Sequence, residues 1–73
     1  MTALTEAADR YRAAAIAAHN AATRSRLTRR DHDATPREIA KANQASLDAR
    51  RALEHARDQL VAAALAHHCD GAA

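Results

Sequence analysis

Near its C-terminus the chain carries four metal-ligand residue types in a row, His67, His68, Cys69 and Asp70, with further histidines at His19, His32 and His55. Imidazole, thiolate and carboxylate are the donors of zinc sites, which need about four of them converging from spaced positions. Neighbours on a helix point about 100° apart, so the run cannot converge by itself. The other histidines fall far along the chain. The expectation is a polar helix end, with no metal and no other cofactor. Nucleophilic catalysis finds no support either, because no serine or cysteine stands beside a histidine with a third orienting group. The chain reads as non-enzymatic. Its single cysteine excludes an internal disulfide and leaves Cys69 able to form an intermolecular one on oxidation.

Arginine offers a second chemistry. Arg24, Arg26, Arg29, Arg30, Arg37 and Lys41 cluster in one stretch with Asp31, Asp33 and Glu38, which leaves a net +3 over residues 24–41. Such a tip can contact phosphates, and phosphate contacts dominate nucleic-acid affinity. No aromatic residue is available there for base stacking, and no glycine-rich phosphate loop is present. Arginines at a helix end also complement the dipole without any ligand.

The elements that hold these residues come from a seven-residue rhythm. Thr35 can cap a helix, Pro36 suits its first position, and Glu38 completes a capping box. From there Ile39, Ala42, Ser46, Ala49, Leu53, Ala56, Leu60, Ala63 and His67 recur alternately at spacings of 3 and 4, the mark of a heptad seam. Gly71, the only glycine, is the expected stop. Before this helix, Leu4, Ala7, Tyr11, Ala14, Ala18, Ala21, Ser25 and Thr28 keep the same rhythm, with Thr2 or Thr5 as cap. The segment Asp31–Thr35 favours a turn, and the residue before Pro36 is pushed from helical angles. A connection this short makes the helices antiparallel neighbours.

Closing the chain about that turn pairs positions whose numbers sum to 67. Leu4 meets Ala63, Leu60 meets Ala7, Tyr11 meets Ala56, Leu53 meets Ala14, and Ile39 meets Thr28. Large residues face small ones, so two helix backbones can approach closely. The predicted fold is all-α: a single domain over residues 1–73, an antiparallel two-helix hairpin of the alanine-rich coiled-coil kind. Helix 1 is expected over about 3–30, the turn over 31–35 and helix 2 over about 36–69, ahead of a short tail.

A second apolar stripe lies beside the seam. It holds Ala8, Ala15 and Ala22 on helix 1, and Ala40, Leu47, Val61, Ala64 and Leu65 on helix 2, interrupted by Arg50, Glu54 and Arg57. Surface leucines singly need no explanation. Here, however, the core is thin. Alanine makes up nearly a third of the 73 residues, with one tyrosine and neither phenylalanine nor tryptophan. At about 25 cal/mol per Å² of buried apolar surface, such a pair gains little beyond the entropy it must offset. Ala8, Ala15, Ala22, Leu47, Val61 and Leu65 are therefore the expected partner face, either for a homodimer closing into a four-helix bundle or for another protein. Ile16 and Leu27 lie on the far side of helix 1, where a second partner could reach them.

The run from Thr35 to Ala56, TPREIAKANQASLDARRALEHA, resembles the helix-turn-helix segment of bacterial DNA-binding regulators. The resemblance covers residues 35–53 most closely. It implies a first helix over Thr35–Ala42 and a recognition helix capped by Ser46, with Leu47, Asp48, Arg50 and Arg51 facing the major groove. Where that family has glycine at its turn, this chain has Asn43, Gln44 and Ala45, all tolerable in a helix, and the heptad rhythm runs through them. In architecture the expected hairpin dimer is similar to the Rop-type RNA-binding regulators of plasmids, a likeness of topology that does not fix function.

Net charge is +2, and all the basic residues except Lys41 are arginine, which with the alanine content suggests a GC-rich bacterial genome. No apolar run nears the roughly 18 residues of a membrane span. Charges recur from Glu6 onward, unlike a signal peptide. A cytoplasmic protein is the expectation. The functional expectation is a small adaptor or regulator that binds a protein through the flank; the alternative is nucleic-acid binding through the arginine-rich turn or the helix-turn-helix segment.

Overall fold

The computed structural model describes the backbone of residues 2–72 and the side chains of residues 2–69. Two helices account for nearly all of it, α1 (Ala3–Arg30) and α2 (Pro36–Ala72). They pack against each other along a hairpin whose principal extents are 60 × 15 × 14 Å.

Each helix start is explained by its cap. The Thr2 hydroxyl accepts the Thr5 amide at 3.1 Å, so Thr2 rather than Thr5 begins α1. At the start of α2 the capping box is reciprocal: the Glu38 amide donates to Thr35 Oγ1 at 3.1 Å. The Thr35 amide and hydroxyl both reach the Glu38 carboxylate, at 3.4 and 3.0 Å. These bonds occupy amide groups that a helix end leaves without internal partners.

Asp31 builds the turn. Its amide closes α1 on the Thr28 carbonyl, its carboxylate accepts the Asp33 amide at 2.9 Å, and its carbonyl accepts the Ala34 amide at 3.2 Å. An aspartate that bonds its own backbone two residues on competes with helix and reverses the chain. At the other end α2 runs through Gly71 to Ala72, so Gly71 does not end it. Glycine stops a helix by turning left-handed, and no described residue has positive φ.

The seam is where the heptads place it. Leu4, Tyr11, Ala14, Ala18, Ala21 and Thr28 of α1 are half-buried, and so are Ile39, Ala42, Ser46, Ala49, Leu53, Leu60 and Ala63 of α2. Ala7, Ser25 and Ala56 alone fall in the buried class among the described side chains. In the expected register Ala7 lies under Leu60 and Ala56 under Tyr11. A small side chain facing a large one is covered by it, while the large one reaches the rim and stays half exposed. The register agrees at both ends. Leu4 and Ala63, a pair in that register, line a shallow cavity, and at the other end Ser25, whose register partner is Ala42, donates to the adjacent Asn43 Oδ1 across the helices at 2.6 Å. His67 departs from the pattern: it is exposed. It borders a shallow cavity with Thr2, Ala3 and Leu4 at the start of α1, which leaves it uncovered.

Two substitutions test this frame. Thr35→Ala is expected to cost about 1 kcal/mol through the lost cap. Ser25→Ala is expected to cost about 1 kcal/mol or more, because it leaves a half-buried amide oxygen without its donor. Denaturant unfolding followed by helicity measures both, and an unchanged midpoint for either would remove that contact from the account.

Candidate functional site

The apolar flank is unevenly covered. Ala8, Ala15 and Ala22 are half-buried, because they sit one position off the seam. On α2, Leu47 is 47% exposed, Val61 53% and Leu65 61%. Ala40 and Ala64 are exposed as well. A heptad places Leu47, Glu54 and Val61 in one row, with Arg50 and Arg57 in the row between them and the seam. Antiparallel pairing sets these rows on the same side as the three alanines of α1. Ile16 and Leu27, 57% and 61% exposed, stand on the outer side of α1, away from this face.

The three charges in the flank do not satisfy one another. Arg50 precedes Glu54 by one helical turn and Arg57 follows by slightly less, spacings at which side chains can meet. Yet the ion pair found among the described residues is Glu6 with Arg10, at 3.7 Å on α1. Glu54, Arg50 and Arg57 are exposed and unpaired.

Arg24, Arg26, Arg29, Arg30, Arg37 and Lys41 surround the turn end, all exposed and none in an ion pair with another described residue. Arg26 Nη2 donates to Thr23 Oγ1 at 3.3 Å. Two of the three acids at this end, Asp31 in the turn and Glu38 in the capping box, hold backbone amides. Arg24 and Lys41 border an open cavity of about 320 Å³ with Thr28, Glu38, Ala42 and Ala45.

Through Asn43–Ser46, α2 is unbroken. Ser46 faces the seam, half-buried, while Leu47, Asp48, Arg50 and Arg51 are exposed along one continuous helix. Gln44 donates to Asp48 at 2.9 Å on that surface. His67, His68 and Cys69 are exposed, and the side chain of Asp70 lies outside the described residues. No three histidine, cysteine, aspartate or glutamate residues come together as a metal-binding group among the described residues. No described helix is long and apolar enough to cross a membrane.

The contact that sequence patterning missed is Ser25–Asn43. Ser25 was visible as a polar seam residue, and Asn43 stands next to Ala42, its partner in the register. A polar residue one place off a seam could have been read as its bonding partner.

No protein-family model matches the chain, and neither a curated protein nor a solved structure is significantly similar to it.

Cys69 is exposed on a helix that extends past the other, so oxidation is expected to give a disulfide-linked species of twice the chain mass. A non-reducing gel checks this. Cys69→Ser must abolish the band, and a band that survives the substitution would contradict it.

Proposed function

We propose that this chain is a small non-enzymatic protein–protein interaction module, an adaptor or regulator. It acts through the flank formed by Leu47, Val61 and Leu65 of α2 with Ala8, Ala15 and Ala22 of α1. The observation that carries this reading is the mismatch between interior and surface. Among the described side chains only Ala7, Ala56 and Ser25 are buried, yet the flank leaves its three largest aliphatic residues open. The accessible surface is 5758 Å², against about 4,400 Å² for a compact protein of this mass. The radius of gyration is 16.8 Å, against about 11 Å for a compact chain of this length. A further helical layer over the flank would supply the missing interior. Two hairpins closing as a four-helix bundle is the simplest such layer.

A photo-crosslinking side chain at Val61 tests the reading in cells. The expected result is a discrete protein adduct, absent when the crosslinker stands at Ala45, which the heptads place on the opposite side. Combining the Val61 crosslinker with Leu47→Asp and Leu65→Asp should reduce the adduct at least about tenfold, since apolar anchors at an interface centre carry most of its affinity. The absence of any adduct from Val61 would sink the proposal.

The turn end supports a second reading, nucleic-acid binding. The six cations there have no ion-pair partners among the described residues, and two of the three nearby acids are bound to backbone. Five of the six are arginine, whose planar fork suits phosphate. Binding of a duplex or single strand should fall steeply with salt. Replacing Arg24, Arg26, Arg29 and Arg30 by glutamine should reduce affinity at low salt and flatten the salt slope by about three to four contacts. No binding at low ionic strength, in a filter or anisotropy assay, would remove this reading and leave the flank untouched.

A further inference from the structure

The flank is close to a palindrome about one residue. Glu54 is the midpoint of α2 (Pro36–Ala72). Leu47 and Val61 stand one heptad to either side of it, and Arg50 and Arg57 stand four residues before and three after. On α1, Ala8 and Ala22 stand one heptad to either side of Ala15. In the hairpin register Ala15 lies opposite position 52, which is about 3 Å along the axis from Glu54. A single two-fold axis perpendicular to the helices therefore passes close to both centres.

We propose that the flank's partner is a second copy of this chain, docked antiparallel across a two-fold axis beside Glu54. This deepens the reading of the flank as a docking surface and rests on it. The axis lays α2 on the partner's α2 and α1 on the partner's α1. Leu47 then lies beside the partner's Val61, and Val61 beside the partner's Leu47. The two copies of Glu54 meet beside the axis, flanked by Arg50 and Arg57 and by the partner's Arg50 and the partner's Arg57. The α1 row of Ala8, Ala15 and Ala22 faces the partner's α1, small against small, which lets the α1 helices approach as closely as the seam helices do. Such an interface is isologous, each patch complementing itself.

Charge selects this occupant over a plain apolar surface. Within one hairpin, Glu54, Arg50 and Arg57 make no ion pair. Covering them with an apolar partner would bury three unpaired charges, at heavy cost. A second copy gathers two carboxylates among four guanidiniums at the axis, so each charge gains opposite charges close by, and the arginine stems add apolar cover. Area agrees as well. A standard interface removes about 800 Å² from each partner. The hairpin exposes 5758 Å², about 1,400 Å² more than a compact chain of its mass.

The test is a charge exchange read by sedimentation equilibrium on the reduced full chain, with helicity checked on each sample. The wild-type chain is expected to form a reversible dimer of two 7.8 kDa chains. Glu54→Arg places like charges together and should weaken dimerisation at least about tenfold. The double variant Arg50→Glu, Arg57→Glu should do the same by opposing three carboxylates to three. Mixing the two variants matches every charge, so dimer mass should return with one chain of each kind. A helical wild-type chain that stays monomeric overturns the second-copy assignment, as does a dimer that neither variant weakens, or variants that fail to rescue each other. The Val61 crosslink separates this outcome from failure of the broader reading. An adduct with a different protein removes the second copy and keeps the flank as a docking surface, whereas no adduct of either kind removes both.

Discussion

Close packing of alanine against a facing larger residue is the interaction on which this hairpin depends. It allows two helix backbones to approach, and it limits what their contact can bury. Ala7 and Ala56 are covered because Leu60 and Tyr11 stand opposite them in the register, and the same leucine and tyrosine stay half exposed. No side chain in the described structure is both large and fully buried. The seam thus specifies direction and register while contributing little hydrophobic free energy, since each alanine removes little area from water.

Polar groups sharpen what the seam leaves loose. Ser25 is buried at a seam position and spends its hydroxyl on Asn43 of the facing helix at 2.6 Å, which ties one helix to the other at the turn end. The Thr35–Glu38 box fixes where α2 begins, and Asp31 fixes where α1 ends. The same arrangement has an electrostatic consequence. Asp31 and Glu38 hold backbone amides, and the arginines around them make no ion pair among the described residues. Local folding requirements and surface charge are linked through the same carboxylates.

Most of the fold was legible in sequence because it rests on periodicity. The heptads, the TPRE start and the DHDAT break specify two helices, their boundaries and their register, and the half-buried positions follow that register residue by residue. Three features were not legible. His67 keeps the rhythm but only borders the start of α1, which leaves it exposed. Gly71 stays helical because nothing turns the backbone left-handed. Asn43 holds a bond that patterning cannot see, since periodicity ranks positions by hydrophobicity and is silent about which polar atoms meet. The candidate surfaces were legible as exposure: Leu47, Val61 and Leu65 project from α2, and the six basic residues crowd the turn. What touches them was not, because a lone hairpin records only its own contacts.

We propose that this hairpin is one layer of a larger helical structure, because the seam alone is too thin to hold the fold firmly. The most direct measurement is thermal and denaturant unfolding of the reduced, purified chain across a hundredfold concentration range. Mass action raises the stability of a chain that needs a second copy. The account predicts a midpoint that rises with concentration and, at the dilute limit, a stability well below the 5 kcal/mol or so at the low end for native domains. A sharp, concentration-independent transition at about 5 kcal/mol or more would show that the two helices suffice by themselves, and would contradict it.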